Sequence, residues 1–146
     1  GLNGTGKAYV FTRSGTSWSQ QAALTASDAA DGDLFGYAVD ISDDGDTIVI
    51  GAYGEDTGGN ARGQIYVYTR SGTTWSSKTA LTASDAASSD YMAGGYRGID
   101  INEDGTLIAA GAYAHDTGSV GNSGAVYVFK ILILLHRGFF NSFLSK

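Results

Sequence analysis

The decapeptide YVFTRSGTSW, Tyr9–Trp18, returns as YVYTRSGTTW at Tyr66–Trp75, and LTASDAA, starting at Leu24, returns from Leu81. Both copies are displaced by 57 residues. Self-similarity at a fixed period of this length means that one supersecondary unit is copied, and copied units bury their faces against one another. Function is then expected in loops displayed by an array, not in one enclosed enzyme pocket.

One unit reads as four strands, Tyr37–Ser42, Thr47–Ala52, Gln64–Arg70 and Thr74–Leu81, each bounded by turn chemistry. Asp44-Gly45 and Asp104-Gly105 sit between apolar runs, where glycine's access to positive φ lets a hairpin reverse tightly. Ile48-Val49-Ile50 and Ile65-Tyr66-Val67-Tyr68 are apolar on both faces, as central strands between two packed sheets must be. Trp75-Ser76-Ser77-Lys78-Thr79 is mixed and carries a lysine, which suits an outer edge that must not recruit another chain. Four consecutive antiparallel strands per unit is the plan of a β-propeller blade.

Projecting the unit along the chain predicts nine strands: the end of a preceding blade and its linking loop over 1–34, a complete blade over 35–87, an incomplete third blade over 88–130, and an atypical tail over 131–146. The flanking strands are expected at Lys7–Arg13, Thr16–Leu24, Tyr96–Asn102, Thr106–Tyr113 and Gly124–Lys130. The offset between copies grows from 57 to 60 by Ile101 and to 61 by Tyr127, which places small insertions near Tyr91–Gly95 and in the Thr117–Ser123 loop. Closing a ring of four to eight blades at this period takes roughly 230–460 residues, so the chain reads as a fragment whose neighbouring blades come from elsewhere. In the tail, KILILLHRGFFNSFLSK replaces the expected strand and turn; a substitute fourth strand, a disordered or spurious end and an interfacial membrane anchor all stay open.

Composition agrees with an all-β class. Twenty-two glycines, no proline and nine tyrosines, with many Val, Ile and Thr, favour short strands joined by tight turns. The absence of cysteine excludes disulfides and thiolate metal sites. The formal charge of −6 hides an asymmetry: residues 1–129 carry six Lys or Arg against fifteen Asp or Glu, and Lys130–Lys146 carry three cations and no acid. An acidic body is a poor partner for a phosphate backbone, so nucleic-acid binding is not expected. No run of eighteen apolar residues is present, so no membrane span is expected in this chain.

Phe35-Gly36, Asp44-Gly45, Gly51-Ala52-Tyr53-Gly54 and Gly63-x-x-Tyr66-Val67-Tyr68 together resemble the FG-GAP repeat of integrin alpha-chain propellers and related surface proteins, over about residues 1–129. In such a unit Gly36 and Gly51 allow close approach of strands, Phe35 fills the space between blades, and Tyr66, Val67 and Tyr68 build the sheet core. The resemblance implies a seven-bladed propeller outside the cell or at its surface, presenting loops to protein or glycan ligands without catalysis of its own. The family's proline after Gly-Ala is Tyr53 in one copy and Tyr113 in the other. The second copy lacks Phe-Gly and offers Met92-Ala93 or Gly94-Gly95 instead.

The family's hairpin calcium gives the candidate ligand sets Asp40, Ser42 and Asp44, and Asp100, Asn102 and Asp104, with oxygens at alternating positions as a hard cation requires. The next acidic ligand of the integrin-type loop is replaced by Ile48 and Ile108. A plain Asp-Gly turn and a weak calcium site are both open, and no other cofactor is expected. Gly1–Lys7 matches phosphate-loop spacing by chance, because Ala8 stands where Ser or Thr is needed and a strand follows. His115 and His136 have no ligand partners at metal spacing, no serine lies in a nucleophile elbow, and the chain reads as no enzyme; a propeller hydrolase or lyase with catalytic groups in other blades is the alternative. Asn3-Gly4-Thr5 is a glycosylation sequon in an expected loop. Trp18 and Trp75, like Tyr53 and Tyr113, are equivalent positions expected in blade packing. Gly54–Gly63 and Ala114–Ser123 differ between copies while their flanking strands agree, which makes them the expected ligand surface.

Overall fold

The computed structural model describes residues 4–57, 60–95, 97–118 and 121–132. Among them are nine strands: β1 (Ala8–Ser14), β2 (Ser17–Leu24), β3 (Ala38–Ile41), β4 (Thr47–Ala52), β5 (Gln64–Ser71), β6 (Thr74–Leu81), β7 (Ile99–Ile101), β8 (Leu107–Ala112) and β9 (Ala125–Lys130). They form three antiparallel sheets, β1-β2, β3-β4-β5-β6 and β7-β8-β9, each in sequence order. This is an all-β array of partial propeller blades.

The strand positions follow the sequence, with most ends within one residue of the expected ones and β7 corrected most. The innermost strands β3 and β7 are shorter than Tyr37–Ser42 and Tyr96–Asn102, because Tyr37 leaves the ladder and bonds Leu34 O, while Ser42 and Asn102 enter the turns. Gly45 and Gly105 adopt φ of 70° and 71° and donate their N–H groups back to Ser42 O and Asn102 O, closing the hairpins. The same register irregularity occurs twice, at Val10/Phe11 and at Val67/Tyr68, so the copying extends to the bulge.

The middle sheet is covered on both sides, and β4 shows how. Ile48, Ile50 and Ala52 join Tyr66, Tyr68 and Phe35 in a core shared with Leu24 of the first sheet. Val49 points the other way, with Ile65 and Val67, into a core shared with Met92, Ile99, Ile108 and Ala110 of the third. Ile50 and Ile65 are fully buried, and each such side chain contributes about 1.5–3 kcal/mol. Gly51 is required by the second interface, since a Cβ there would lie 2.8 Å from Ala93 Cβ and 2.9 Å from Ile99 Cδ1.

The repeat of Phe35-Gly36 in the second copy is Met92-Ala93. Leu34 and Tyr91, both at positive φ, bond Gly4 O and Ala61 O; Phe35 and Met92 bond Thr5 O and Arg62 O; Gly36 and Ala93 bond Gly51 O and Gly111 O. The offset therefore stays at 57 through Ala93 and reaches 60 at Ile99, which pairs with Ala110 as Val39 pairs with Ile50. Trp75 is half-buried and its indole N–H bonds Gln21 Oε1 at 2.8 Å, as blade packing requires. Trp18 corrects the expectation: it is 65% exposed beside Arg13, because no sheet lies against that face among the described residues. The tail beyond Leu132, the sequon's Asn3 and the start of the phosphate-loop match lie outside the described residues.

Candidate functional site

With antiparallel strands in sequence order, the loops after β4 and β8 and the links into β3 and β7 gather at one end of the sheets, and the Asp-Gly hairpins lie at the other. The two ends have different chemistry. At the hairpin end Ser42 Oγ donates to Asp44 Oδ1 at 2.6 Å and accepts from Thr47 N–H, while Asp46 N–H donates to Asp44 Oδ1. These donors, the Ser42 hydroxyl first, hold the Asp44 carboxyl below its ordinary pKa. Thr106, by hydroxyl and N–H, does the same for Asp104, and Asn102 directs its NH₂ group at the same carboxylate, 2.7 Å away.

This arrangement does not fit calcium, which takes six to eight converging oxygens. Asp40 does not join Ser42 and Asp44. Its Oδ2 accepts the Ile101 N–H at 2.8 Å across the interface between sheets. Asn102 presents nitrogen where oxygen is needed, since its Oδ1 is engaged by Leu107 N–H. Asp100 is exposed at the repeat position of Asp40. Among the described residues no three acidic or histidine side chains are placed to hold a metal ion. The pattern DxS/NxDG builds Asx turns here, and Asp40 serves to tie one sheet to the next.

At the opposite end the rings of Tyr37, Tyr53, Tyr91 and Tyr113 form a row. Tyr37 and Tyr53 meet edge to face at 4.4 Å between centroids, Tyr53 and Tyr91 lie 6.0 Å apart, and Tyr91 stacks on Tyr113 at 5.4 Å with the planes 6° apart. The two end members stay open, Tyr37 at 47% and Tyr113 at 57% exposure. Each position has a backbone cause: Tyr53 and Tyr113 follow the Gly-Ala that ends β4 and β8, and Tyr91 stands at positive φ where the link enters the third sheet. Gly94 lies so close beneath Tyr113 that a Cβ would meet its ring at 2.9 Å. Equivalence of Tyr53 and Tyr113 is legible in the sequence; the participation of Tyr91 is not, because its repeat partner is Leu34.

Behind the row, each link is clamped to a loop by carboxylates. Asp90 Oδ2 accepts the Ala87 N–H at 2.7 Å and faces His115 Nδ1 at 3.0 Å; Tyr127 Oη donates to Asp85 Oδ1 at 2.9 Å. Asp85 also lies 3.8 Å from His115 Nε2. One repeat earlier Asp33 accepts the Ala30 N–H and Tyr66 Oη donates to Asp28, but Glu55 stands in place of His115. Glu55 accepts the Thr57 N–H with one oxygen, and its other oxygen is buried with no hydrogen-bond partner among the described residues. Burial, then the bond to Asp28, raises the Tyr66 pKa; burial, then the bond to Asp85, pushes Tyr127 up to about 12. The repeated LTASDAA and the offset of His115 from Glu55 were the sequence signals for this clamp.

The Asp90 bond, followed by the Asp90, Asp85 and Asp116 charges, raises the His115 pKa against the opposing effect of desolvation. A histidine whose folded pKa lies above its unfolded value stabilises the fold below the unfolded value, about 6.5, and loses that contribution as pH rises through the folded pKa. We expect His115→Gln to lower the melting temperature most at pH 5.5–6, with the difference from wild type shrinking toward pH 8.5. Thermal melts of both proteins across that range check this, and a difference that grows with pH would contradict it.

The loops differ in their own bonding. Thr117 and Ser123 tie the second loop across its base, with the hydroxyls 2.7 Å apart and Ser123 Oγ on His115 O, and Asn122 N–H bonds Asp116. The first is closed by Gly63 N–H on Glu55 O. No helix among the described residues is long and apolar enough to cross a membrane. A search of curated proteins finds no match to this chain. The family model of the FG-GAP repeat matches residues 18–68 and again 75–129, and with strand order repeated from sheet to sheet and the bulge repeated in two of them, the chain belongs to the FG-GAP repeat family.

Proposed function

We propose that this chain is a non-catalytic binding module, part of an extracellular or cell-surface propeller of the integrin alpha type, that meets protein or glycan partners in adhesion. The observation that carries this reading is the tyrosine row, half open to solvent, set beside two loops that vary between otherwise matching copies. Tyrosine supplies apolar contact area and a hydroxyl at little entropic cost, which is why it serves recognition surfaces. The hydroxyl that meets the His115 ring, Tyr127 Oη, donates to Asp85, and those of Thr117 and Ser123 are bonded to each other and to backbone, an arrangement that supports recognition over nucleophilic chemistry.

Neighbouring blades are part of the proposal. Tyr66 and Tyr68 are buried against the first sheet, while their repeat equivalents Tyr9 and Phe11 are 55% and 52% exposed; Ile65 and Val67 are fully buried, while Val126 and Val128 are 73% and 67% exposed. The two outer faces carry the chemistry of interfaces, and further blades would cover them.

Binding of cells expressing the intact protein to immobilised extracellular matrix proteins and to a glycan array tests the reading. Tyr53→Ala with Tyr113→Ala, and exchange of loop 114–123 for loop 54–63, are each expected to weaken capture at least tenfold, with surface expression and melting temperature held. Unchanged capture by both variants overturns it.

A further inference from the structure

Tyr37 and Tyr53 are the tightest pair of the tyrosine row. Their ring centroids stand 4.4 Å apart with the planes at 64°, at the short limit of aromatic pairs, about 4.5–7 Å. Backbone bonds hold both in place: Tyr37 N–H bonds Leu34 O at 3.2 Å, and Gly54 N–H, directly after Tyr53, bonds Asp33 O at 3.2 Å. The pair therefore bridges the link into β3 and the loop after β4, 16 residues apart in the chain.

The hydroxyls set this pair apart from the tyrosines of the sheet cores. Tyr66, Tyr68 and Tyr127 donate to Asp28, to Thr25 O and to Asp85. The hydroxyls of Tyr37 and Tyr53 make no hydrogen bond with the protein among the described residues, so their protons can pass to water. Tyr37 is 47% exposed, and its openness does not depend on what precedes the first sheet. Arg97, 60 residues later, occupies the same place with a whole sheet before it and is exposed too.

One-electron oxidants have few other targets here. The chain has no cysteine, its single methionine, Met92, is 0% exposed, and Trp18 and Trp75 stand on the outermost strands β2 and β6. A phenoxyl radical formed at Tyr113 or Tyr91 can take an electron from the next ring, 5.4 or 6.0 Å along the row. Oxidation anywhere in the row thus reaches the pair whose rings are close enough to bond.

We infer that Tyr37 and Tyr53 are a modification site, joined by a carbon–carbon bond when a haem peroxidase and hydrogen peroxide oxidise the row. Each phenol loses one electron and its hydroxyl proton. The two phenoxyl radicals then join through carbons ortho to oxygen, and the ring hydrogens at those carbons shift to the oxygens to restore the phenols. Two hydrogen atoms leave in all, and they reduce one hydrogen peroxide to two waters. The bond staples the link that carries Phe35 to the end of β4. It needs no ligand, so its failure would leave the recognition reading untouched. The third sheet lacks the site, because Arg97 stands in place of Tyr37, although Arg97 and Tyr113 line one cavity.

Treating the dilute full chain with a haem peroxidase and limiting hydrogen peroxide tests this by mass spectrometry. The expected product is a monomer lighter by two hydrogen atoms, with biphenol fluorescence. Cleavage at the intervening Asp40, Asp43, Asp44 and Asp46 should leave the Tyr37 and Tyr53 peptides linked. Tyr37→Phe and Tyr53→Phe keep the rings and remove the hydroxyls, and each is expected to lower the linked yield at least tenfold, with the fold verified by circular dichroism. Arg97→Tyr, at an exposed position, is expected to add a second link, to Tyr113. No loss of mass, coupling only between molecules, a link that maps to Tyr91 in place of Tyr37, undiminished yield in Tyr37→Phe, or Arg97→Tyr without a second link each overturns the inference.

Discussion

Phe35→Ala is expected to destabilise the chain by about 3–5 kcal/mol, the cost of truncating a fully packed phenylalanine and leaving a cavity. Phe35 is 3% exposed and sits where the first link enters the middle sheet. Its ring meets Tyr66 edge-on at 5.4 Å and Tyr68 at 6.2 Å, so the substitution removes two aromatic contacts besides the buried area. The collapse that would limit the loss is blocked, because Gly6 already lies against the Phe35 backbone so closely that a Cβ there would overlap Phe35 O. Phe35→Met is the informative companion. Met92 fills the same place one repeat later with no exposure, and a near-isosteric apolar exchange costs less than about 1.5 kcal/mol. Urea denaturation of the two variants checks both values. A loss under 1 kcal/mol in the alanine variant, or equal losses in the two, would mean that the ring does not hold the sheets together.

That Met92 replaces Phe35 illustrates what the sequence discloses and what it withholds. The strands were legible because β4 and β5 are apolar on both faces and the copies agree residue by residue; β4 and β6 fall at the expected positions. The choice between Met92-Ala93 and Gly94-Gly95 was not legible, since pattern favours glycine where φ is positive, and Ala93 adopts φ of 64° to place its methyl against Gly51. The Asp40 carboxylate reads as part of a turn, yet it bonds a backbone N–H 61 residues away, a distance that no local spacing reports. Trp18 and Trp75 are identical in the sequence and differ only in having a sheet beside them. Exposure belongs to the array, not to the unit. For the same reason the clamp of His115 on Asp90 escaped a search for metal spacing: it joins a loop to a link 25 residues upstream, and only alignment with Glu55 and Asp33 reveals it.

Substituting Gly63 by alanine is expected to be at least as damaging as removing the Phe35 ring. Gly63 has φ of +81°, and a Cβ built there overlaps Met92 O and lies 2.6 Å from Met92 N and 2.9 Å from Met92 C. All three are backbone atoms in the link that carries Met92 into the core, so no side chain can swing aside. Relief requires the loop and the link to separate, which breaks the Met92 N–H bond to Arg62 O at 3.0 Å and draws Met92 out of its buried place. Gly72 provides the control. It has a similar φ of +61° in the hairpin between β5 and β6, with nothing within 4 Å of an added Cβ, so alanine there costs only the left-handed backbone penalty, about 1–2 kcal/mol. Gly63→Ala adds the steric separation of two packed segments to that penalty, and we expect a total above about 4 kcal/mol, comparable with the largest single-residue effects known. The difference between the two variants in chemical denaturation isolates close approach from conformational freedom. Equal losses would show that glycine stands at 63 for its φ alone; a Gly63 loss several-fold larger, accompanied by exposure of Met92 to oxidation, places the requirement in the contact between link and loop on which the stacking of the sheets depends.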